Sequence, residues 1–195
     1  MKYCLLILFF SLLSCTNAKK ENQSKVIVLQ PFGDFKTDQA KNVLVQVKTI
    51  NPNVALRQNI SFPENSYYKP RNRYRADSII EFLRNTVGKD SVVIGLSNSD
   101  ISTTKNGIKD CGIMGLGYRP GKSCVVSDFR MAGKNSNQQF YKVVLHELGH
   151  TEGLSHCAVK TCLMRDAEGG NHLDEEKDFC KKCKSFLMNK GWQLI

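Results

Sequence analysis

The chain alternates two hydrophobic periods before it changes character. "KVIVLQ" (25–30) is a short β-branched run bounded by Pro31 and Gly33, the pattern of a strand. In "TDQAKNVLVQVKTI" (37–50) the apolar residues Val43, Leu44, Val47 and Ile50 recur at a helical period, and Thr37 or Asp38 suits the N-cap. Asn51-Pro52-Asn53 stops that helix, and "VALRQNI" (54–60) reads as a second strand. "PENSYYKPRNRYR" (63–75) is polar and broken by prolines, so it reads as a loop. "ADSIIEFLRNTV" (76–87) puts Ile79, Ile80, Leu83 and Val87 on one helical face and ends at Gly88. "SVVIGLS" (91–97) is a continuous apolar strand. Strand-helix alternation of this kind predicts a largely parallel sheet with helical crossovers.

Downstream, "GIMGLGY" (112–118) and "SCVVSDF" (123–129) are two strands joined by Arg119-Pro120-Gly121-Lys122, which predicts a hairpin. "NQQFYKVVLHELGH" (137–150) is a helix with Phe140, Val143, Val144 and Leu148 in a stripe. "LDEEKDFCKKCKSFLMNKG" (173–191) reads as a last helix, acidic in its first turn and basic in its last, as the helix dipole favours. No internal repeat or second domain boundary is visible.

The helix at 137–150 leads into the densest chemistry of the chain. "LHELGHTEGLSHC" (145–157) holds three of the four histidines in the sequence. His146 and His150 are four apart, so on a helix both imidazoles project from one face, as two ligands of a tetrahedral zinc must. Glu147 stands beside the first ligand, where its carboxylate reaches the site without ligating. Gly153 ends the helix and lets the chain double back, which brings His156 to the same point. Three imidazoles leave a fourth position open, the pattern of a catalytic zinc rather than a structural one. Such a zinc activates a water near neutral pH, with Glu147 as general base for attack on a carbonyl. His172, the fourth histidine, stands apart before the last helix and is left out of the site.

The spacing H-E-x-x-H-x-x-G-x-x-H resembles the metzincin metallopeptidases. Met164, in "CLMRD" shortly after His156, resembles their methionine turn. Cys157, Cys162, Cys180 and Cys183 follow in register, which narrows the resemblance to the archaemetzincin family. The spacer before the last cysteine pair is a little shorter than that family's pattern. The resemblance covers residues 146–183 specifically and most of residues 25–195 loosely. It implies an α+β fold: a metzincin-like mixed, mostly parallel twisted sheet with flanking helices, an active-site helix and a small C-terminal lobe with the Met-turn. It implies a zinc metallopeptidase with two zinc ions, one catalytic and one held by the four cysteines, acting on a peptide or protein substrate. It also implies an antiparallel edge strand above the zinc, for which "GIMGLGY" is the candidate; Tyr118 is not singled out by any spacing. One C-x-x-C pair with one C-x₄-C pair suits a structural zinc on its own chemistry. Two disulfides are the competing reading of these residues. Cys111 and Cys124 flank the hairpin turn, and a cross-strand disulfide between them is expected if the compartment is oxidising.

That compartment is read from the N-terminus. "MKYCLLILFFSLLSC" has Lys2 and then an apolar run too short to span a bilayer as a helix. Leu12, Ser14 and Cys15 resemble a bacterial lipoprotein box. The resemblance implies a signal peptide over 1–14, acylation of Cys15, and a tether over 15–24 before a catalytic domain at 25–195. A plain secretory signal is the alternative. Lipoprotein processing would leave the protein exported and membrane-anchored, in the periplasm or at the cell surface.

Composition changes this picture little. The formal charge is +10, but no block of five or six like charges occurs, and no nucleic-acid module is recognisable. A monomer is expected. Two other functions stand beside the peptidase: a non-catalytic zinc-binding lipoprotein, against which Glu147 argues, and an amidase acting on cell-wall peptide cross-links.

Overall fold

The computed structural model describes residues 25–131 and 133–194; the expected signal peptide, Cys15 and the tether lie outside the described residues. Among the described residues the chain is a mixed α/β fold with two mixed sheets and four α-helices. The elements run β1 (Val26–Pro31), α1 (Thr37–Lys48), β2 (Val54–Leu56), β3 (Tyr67–Tyr68), β4 (Arg73–Arg75), α2 (Ala76–Arg84) and β5 (Ser91–Ser97). They continue with β6 (Ile101–Lys105), β7 (Ile108–Ile113), β8 (Gly115–Gly117), β9 (Ser123–Ser127), α3 (Ser136–Glu152) and α4 (Lys181–Met188).

The main sheet has the order β2-β1-β5-β9-β8. β1 pairs parallel with β2 and β5, and β5 parallel with β9. β8 alone runs antiparallel, on β9, and forms one edge. Both faces of this sheet are covered, which is why its strands read as continuous apolar runs. Ile27, Leu29, Val92, Ile94, Leu96, Cys124 and Val126 face one core with α1 and α3, while Val28, Val93 and Val125 face the other with α2. The alternation is the period of two that a pleated strand imposes. Leu173, Phe179, Leu187 and Trp192 join the first core, so the C-terminal segment shares the α1/α3 core instead of building its own.

The second sheet, β3-β4-β6-β7, contains most of the departures from the sequence reading. The expected loop 63–75 holds two short strands, with β4 parallel to β6. Its arginines meet Asp110 of β7 and Asp100, which precedes β6. Arg73 reaches Asp100 at 2.9 Å and Asp110 at 3.1 Å, and Arg130 reaches Asp100 at 2.7 Å. The β6–β7 hairpin turns at Asn106-Gly107, with positive φ at both residues (52° and 78°), as a two-residue hairpin turn requires.

Three further readings are corrected. "GIMGLGY" is not one strand: it breaks at Met114, between β7 in one sheet and β8 in the other. Consequently Cys111 lies opposite Thr103 in the second sheet and Cys124 opposite Gly117 in the first, and both thiols are free. The hairpin that carries Cys124 does not include Cys111, so the expected disulfide is absent. Finally, the last helix is α4 alone, Lys181–Met188; residues 173–180 are irregular and carry Cys180 into the cysteine cluster.

Candidate metal and catalytic site

α3 is a 17-residue helix buried along most of its length, and it presents His146, Glu147 and His150. It ends where expected: Gly153 adopts φ 112°, and its N–H caps the carbonyls of Gly149 and His150. The chain then reverses, and His156 arrives beside His150. The ring nitrogens of His146, His150 and His156 include a set lying within 4.8 Å of one another.

Each imidazole is oriented from behind. His146 Nδ1 lies 2.7 Å from the Leu163 carbonyl, and His150 Nδ1 2.8 Å from the Leu154 carbonyl. His156 Nδ1 lies 3.0 Å from Asp166 Oδ2. A carbonyl or carboxylate accepts, so each Nδ1 donates, and a ring of this tautomer presents its Nε2 lone pair to a metal. His150 Nε2 and His156 Nε2 are only 3.2 Å apart. Two lone pairs at that separation are brought together by a shared proton or by a metal ion between them. Nitrogens bound at 2.0–2.1 Å in a tetrahedron would be about 3.3 Å apart, so the arrangement fits zinc. Burial, followed by the neighbouring His150, pushes His146 down to about 4, and burial also lowers His150, so both are in the neutral form that ligates.

Glu147 is buried on the β8 side of α3, and burial pushes its carboxyl up to about 8. β8 accommodates it by having no side chains there. A Cβ on Gly115 would lie 2.4 Å from Glu147 Oε1, and one on Gly117 3.1 Å from Oε2.

Met164 is fully buried beneath the helix. Its carbonyl accepts the Cys157 N–H at 2.7 Å, and a Cβ on Gly149 would meet its sulfur at 2.7 Å. Gly149 is therefore the residue that lets Met164 pack directly against the turn of α3 between His146 and His150.

The second group is Cys157, Cys162, Cys180 and Cys183, whose sulfurs all lie within 4.8 Å of one another. All four are free thiols. Cys157 Sγ and Cys180 Sγ are 3.7 Å apart. A disulfide requires about 2.05 Å, whereas sulfurs bound to zinc at 2.3 Å in a tetrahedron are about 3.8 Å apart. Burial raises Cys162 and Cys183; at Cys180 burial acts the same way, but the Cys183 N–H and the neighbouring thiols bring it down to about 7. The donor set and its spacing fit a tetrahedral thiolate site.

The geometry also resolves what the spacing left apart. His172 is not in the histidine group and lies 3.6 Å from Glu175. The sequence reading omits Asp166 and the carbonyls of Leu154 and Leu163. The carbonyls carry no sequence signal, and Asp166 is one acid in a polar stretch.

The sequence model of Peptidase family M54 matches residues 28–189 of the chain. The chain belongs to this family. It is similar to the archaemetzincin of Methanopyrus kandleri, 30% identical over 135 residues that cover 67% of this chain and 75% of that protein. The archaemetzincin of Haloquadratum walsbyi is 24% identical over 83% of this chain and 99% of its own length. The crystal structure of the M. kandleri protein superposes with a TM-score of 0.72 at 25% identity, covering 88% of this chain and 98% of that one. With these relatives the chain is an archaemetzincin-like zinc metallopeptidase, a hydrolase.

Proposed function

We propose that His146, His150 and His156 hold the catalytic zinc, that Glu147 is the general base, and that peptide bonds are hydrolysed in front of β8. The observation that carries this reading is the approach of His150 Nε2 and His156 Nε2 to 3.2 Å, with every Nδ1 facing an acceptor. Bound there, zinc would polarise the scissile carbonyl and make water a nucleophile at neutral pH. The three imidazoles bind it as neutral ligands and leave one side open. Glu147 takes the proton from the attacking water at a carboxylate oxygen and returns it to the leaving amine nitrogen. Burial alone favours its neutral form, so the base role requires the positive charge of a bound zinc beside it to favour the carboxylate. β8, an edge strand with glycines at both ends, offers main-chain groups to an extended peptide. Met164 forms the Met-turn floor. Cys157, Cys162, Cys180 and Cys183 hold a second, structural zinc. The residues of both sites come from one chain, which is consistent with a monomer.

The discriminating experiment offers the zinc-loaded protein a peptide library and, separately, cell-wall fragments. Cleavage of peptides is expected. Cleavage confined to cell-wall cross-links would replace this reading with the amidase, and no turnover of either would replace it with a zinc-binding role.

Gly115→Ala tests the fit between β8 and the base. The added methyl displaces the Glu147 carboxylate, and a displacement of about 1 Å costs on the order of 10²-fold in rate. Steady-state kinetics are expected to show that loss in kcat, with zinc content and the circular dichroism spectrum unchanged.

We further propose that the chain is exported and lipid-anchored through Cys15. The support is the Leu12–Cys15 pattern after an apolar run of signal-peptide length. Metabolic labelling with a fatty acid is expected to mark the wild type and not Cys15→Ser, which would stay soluble or unprocessed.

A further inference from the structure

The three imidazoles are not oriented alike. His146 and His150 donate to backbone carbonyls of the fold, Leu163 and Leu154. His156 is the exposed member, with 44% of its side chain accessible, and it follows the helix on an irregular segment. Backbone geometry therefore holds two ligands, and a side chain holds the third: the Asp166 carboxylate, 3.0 Å from Nδ1.

Asp166 is built into place. Its other oxygen, Oδ1, accepts the Glu168 N–H at 3.0 Å, closing a local turn in which Glu168 adopts φ 48°. Two residues earlier the Met164 carbonyl accepts the Cys157 N–H, so the stretch of chain bearing Asp166 runs alongside His156-Cys157.

We propose that Asp166 is the positioning residue of the third zinc ligand: it fixes the tautomer and orientation of His156 so that Nε2 meets the ion. This rests on the reading of His146, His150 and His156 as zinc ligands. The chemistry is specific to an acceptor at this position. A carboxylate keeps the proton on Nδ1 and raises the basicity of Nε2. An amide does not. In the Asp166→Asn variant the amide oxygen takes over the bond from the Glu168 N–H, which turns the NH₂ toward His156 as a donor to Nδ1. The ring proton would then move to Nε2, where it blocks ligation.

The test uses the full chain as wild type, Asp166→Asn, Asp166→Ala and His150→Ala. Zinc binding is measured by competition with a chromophoric chelator, and cobalt(II) replaces zinc for visible absorption spectra. The binding lost in His150→Ala defines the histidine site. Asp166→Asn and Asp166→Ala are expected to weaken that site about 10–100-fold, the usual cost of losing a partner behind a ligating histidine. The cobalt bands of the histidine site should shift, and kcat should fall with KM little changed. The melting temperature of the metal-free Asp166→Asn protein should stay at the wild-type value, because the amide retains an acceptor for the Glu168 N–H. Affinity within about twofold of wild type and unchanged cobalt bands in both variants would overturn the proposal, being far short of the cost expected for a lost partner. If His150→Ala loses no metal, the ligand assignment itself fails and the role of Asp166 falls with it.

Discussion

Glu147→Gln is expected to keep zinc, keep the fold and lose turnover. Gln is isosteric, and at this position it meets the same two glycines of β8, so packing is preserved. It removes the carboxylate that accepts a proton from water and hands it to a leaving amine. General-base catalysis of this kind is worth about 10²–10⁴-fold, so kcat should fall by at least that range while KM changes little. Zinc content by elemental analysis should match the wild type, because Glu147 stands outside the ligand set. The variant has a second expected property. Burial already favours the neutral carboxyl, pushing it up to about 8, and the amide is neutral at every pH. Removing that buried acid should leave stability at neutral pH unchanged or slightly raised, which thermal melting of the metal-free protein measures. A fully active Glu147→Gln would remove the mechanism.

The second large effect is expected from Cys180→Ser/Cys183→Ser. These two thiols tie the segment before α4 to Cys157 and Cys162, on either side of the turn that follows His156. Losing both should lower zinc per chain from about two to about one, since a thiolate site with half its ligands does not compete for the metal. Structural zinc sites contribute on the order of 10–16 kcal/mol to the segments they organise. The consequence should be local. The parallel strands and the core under α2 contain none of the four cysteines, whereas the turn that carries Leu163, Met164 and Asp166 is bracketed by them. Limited proteolysis is therefore expected to cut between residues 157 and 180 in the variant and to spare β1–β9. Activity should fall as well, because Leu163 and Asp166 orient two of the three histidines. Thiol titration of the denatured, chelated wild type, before and after reduction, separates zinc from disulfides. Equal counts are expected; a gain of four thiols on reduction would mean that the cluster is paired covalently.

These two variants act on different parts of one site. The histidine motif lies on a helix anchored by the sheet, while its outer supports lie on a segment with little regular structure. The cysteine cluster adds a tie to a segment whose Leu163, Met164, Leu173 and Phe179 already pack into the core. It does so close to the ligands: the Cys157 N–H bonds to the Met164 carbonyl, and Cys157 directly follows His156.

Much of this was determined by local sequence. The strand-helix alternation over residues 25–97 settles a parallel sheet, because buried parallel strands must be apolar on both faces and their crossovers must be amphipathic. The proposed ligands His146 and His150 share a face by helix period, since four residues make about one turn, and a glycine that tolerates φ 112° ends the helix so that the chain can return with His156. The cysteine spacing selected its own four members. Tertiary structure decided what no short window contains. Residues 63–75 look like a polar loop because Arg73 of β4 pairs with Asp100 and Asp110, more than 25 residues away, so strands β3 and β4 have no apolar signature of their own. The split of "GIMGLGY" between two sheets separates Cys111 from Cys124, and only the sheet assignment reveals it. Asn106-Gly107 is a turn signal, but β6 and β7 around it are too polar to mark a hairpin with one solvated edge. The last helix begins at Lys181 because residues 173–180 are used to deliver Cys180 and to receive the buried Lys142 ammonium at the Leu173 and Glu176 carbonyls. Asp166 is the clearest case. Nothing in its neighbours marks it, and its role exists only because the chain folds back to place one carboxylate oxygen against His156.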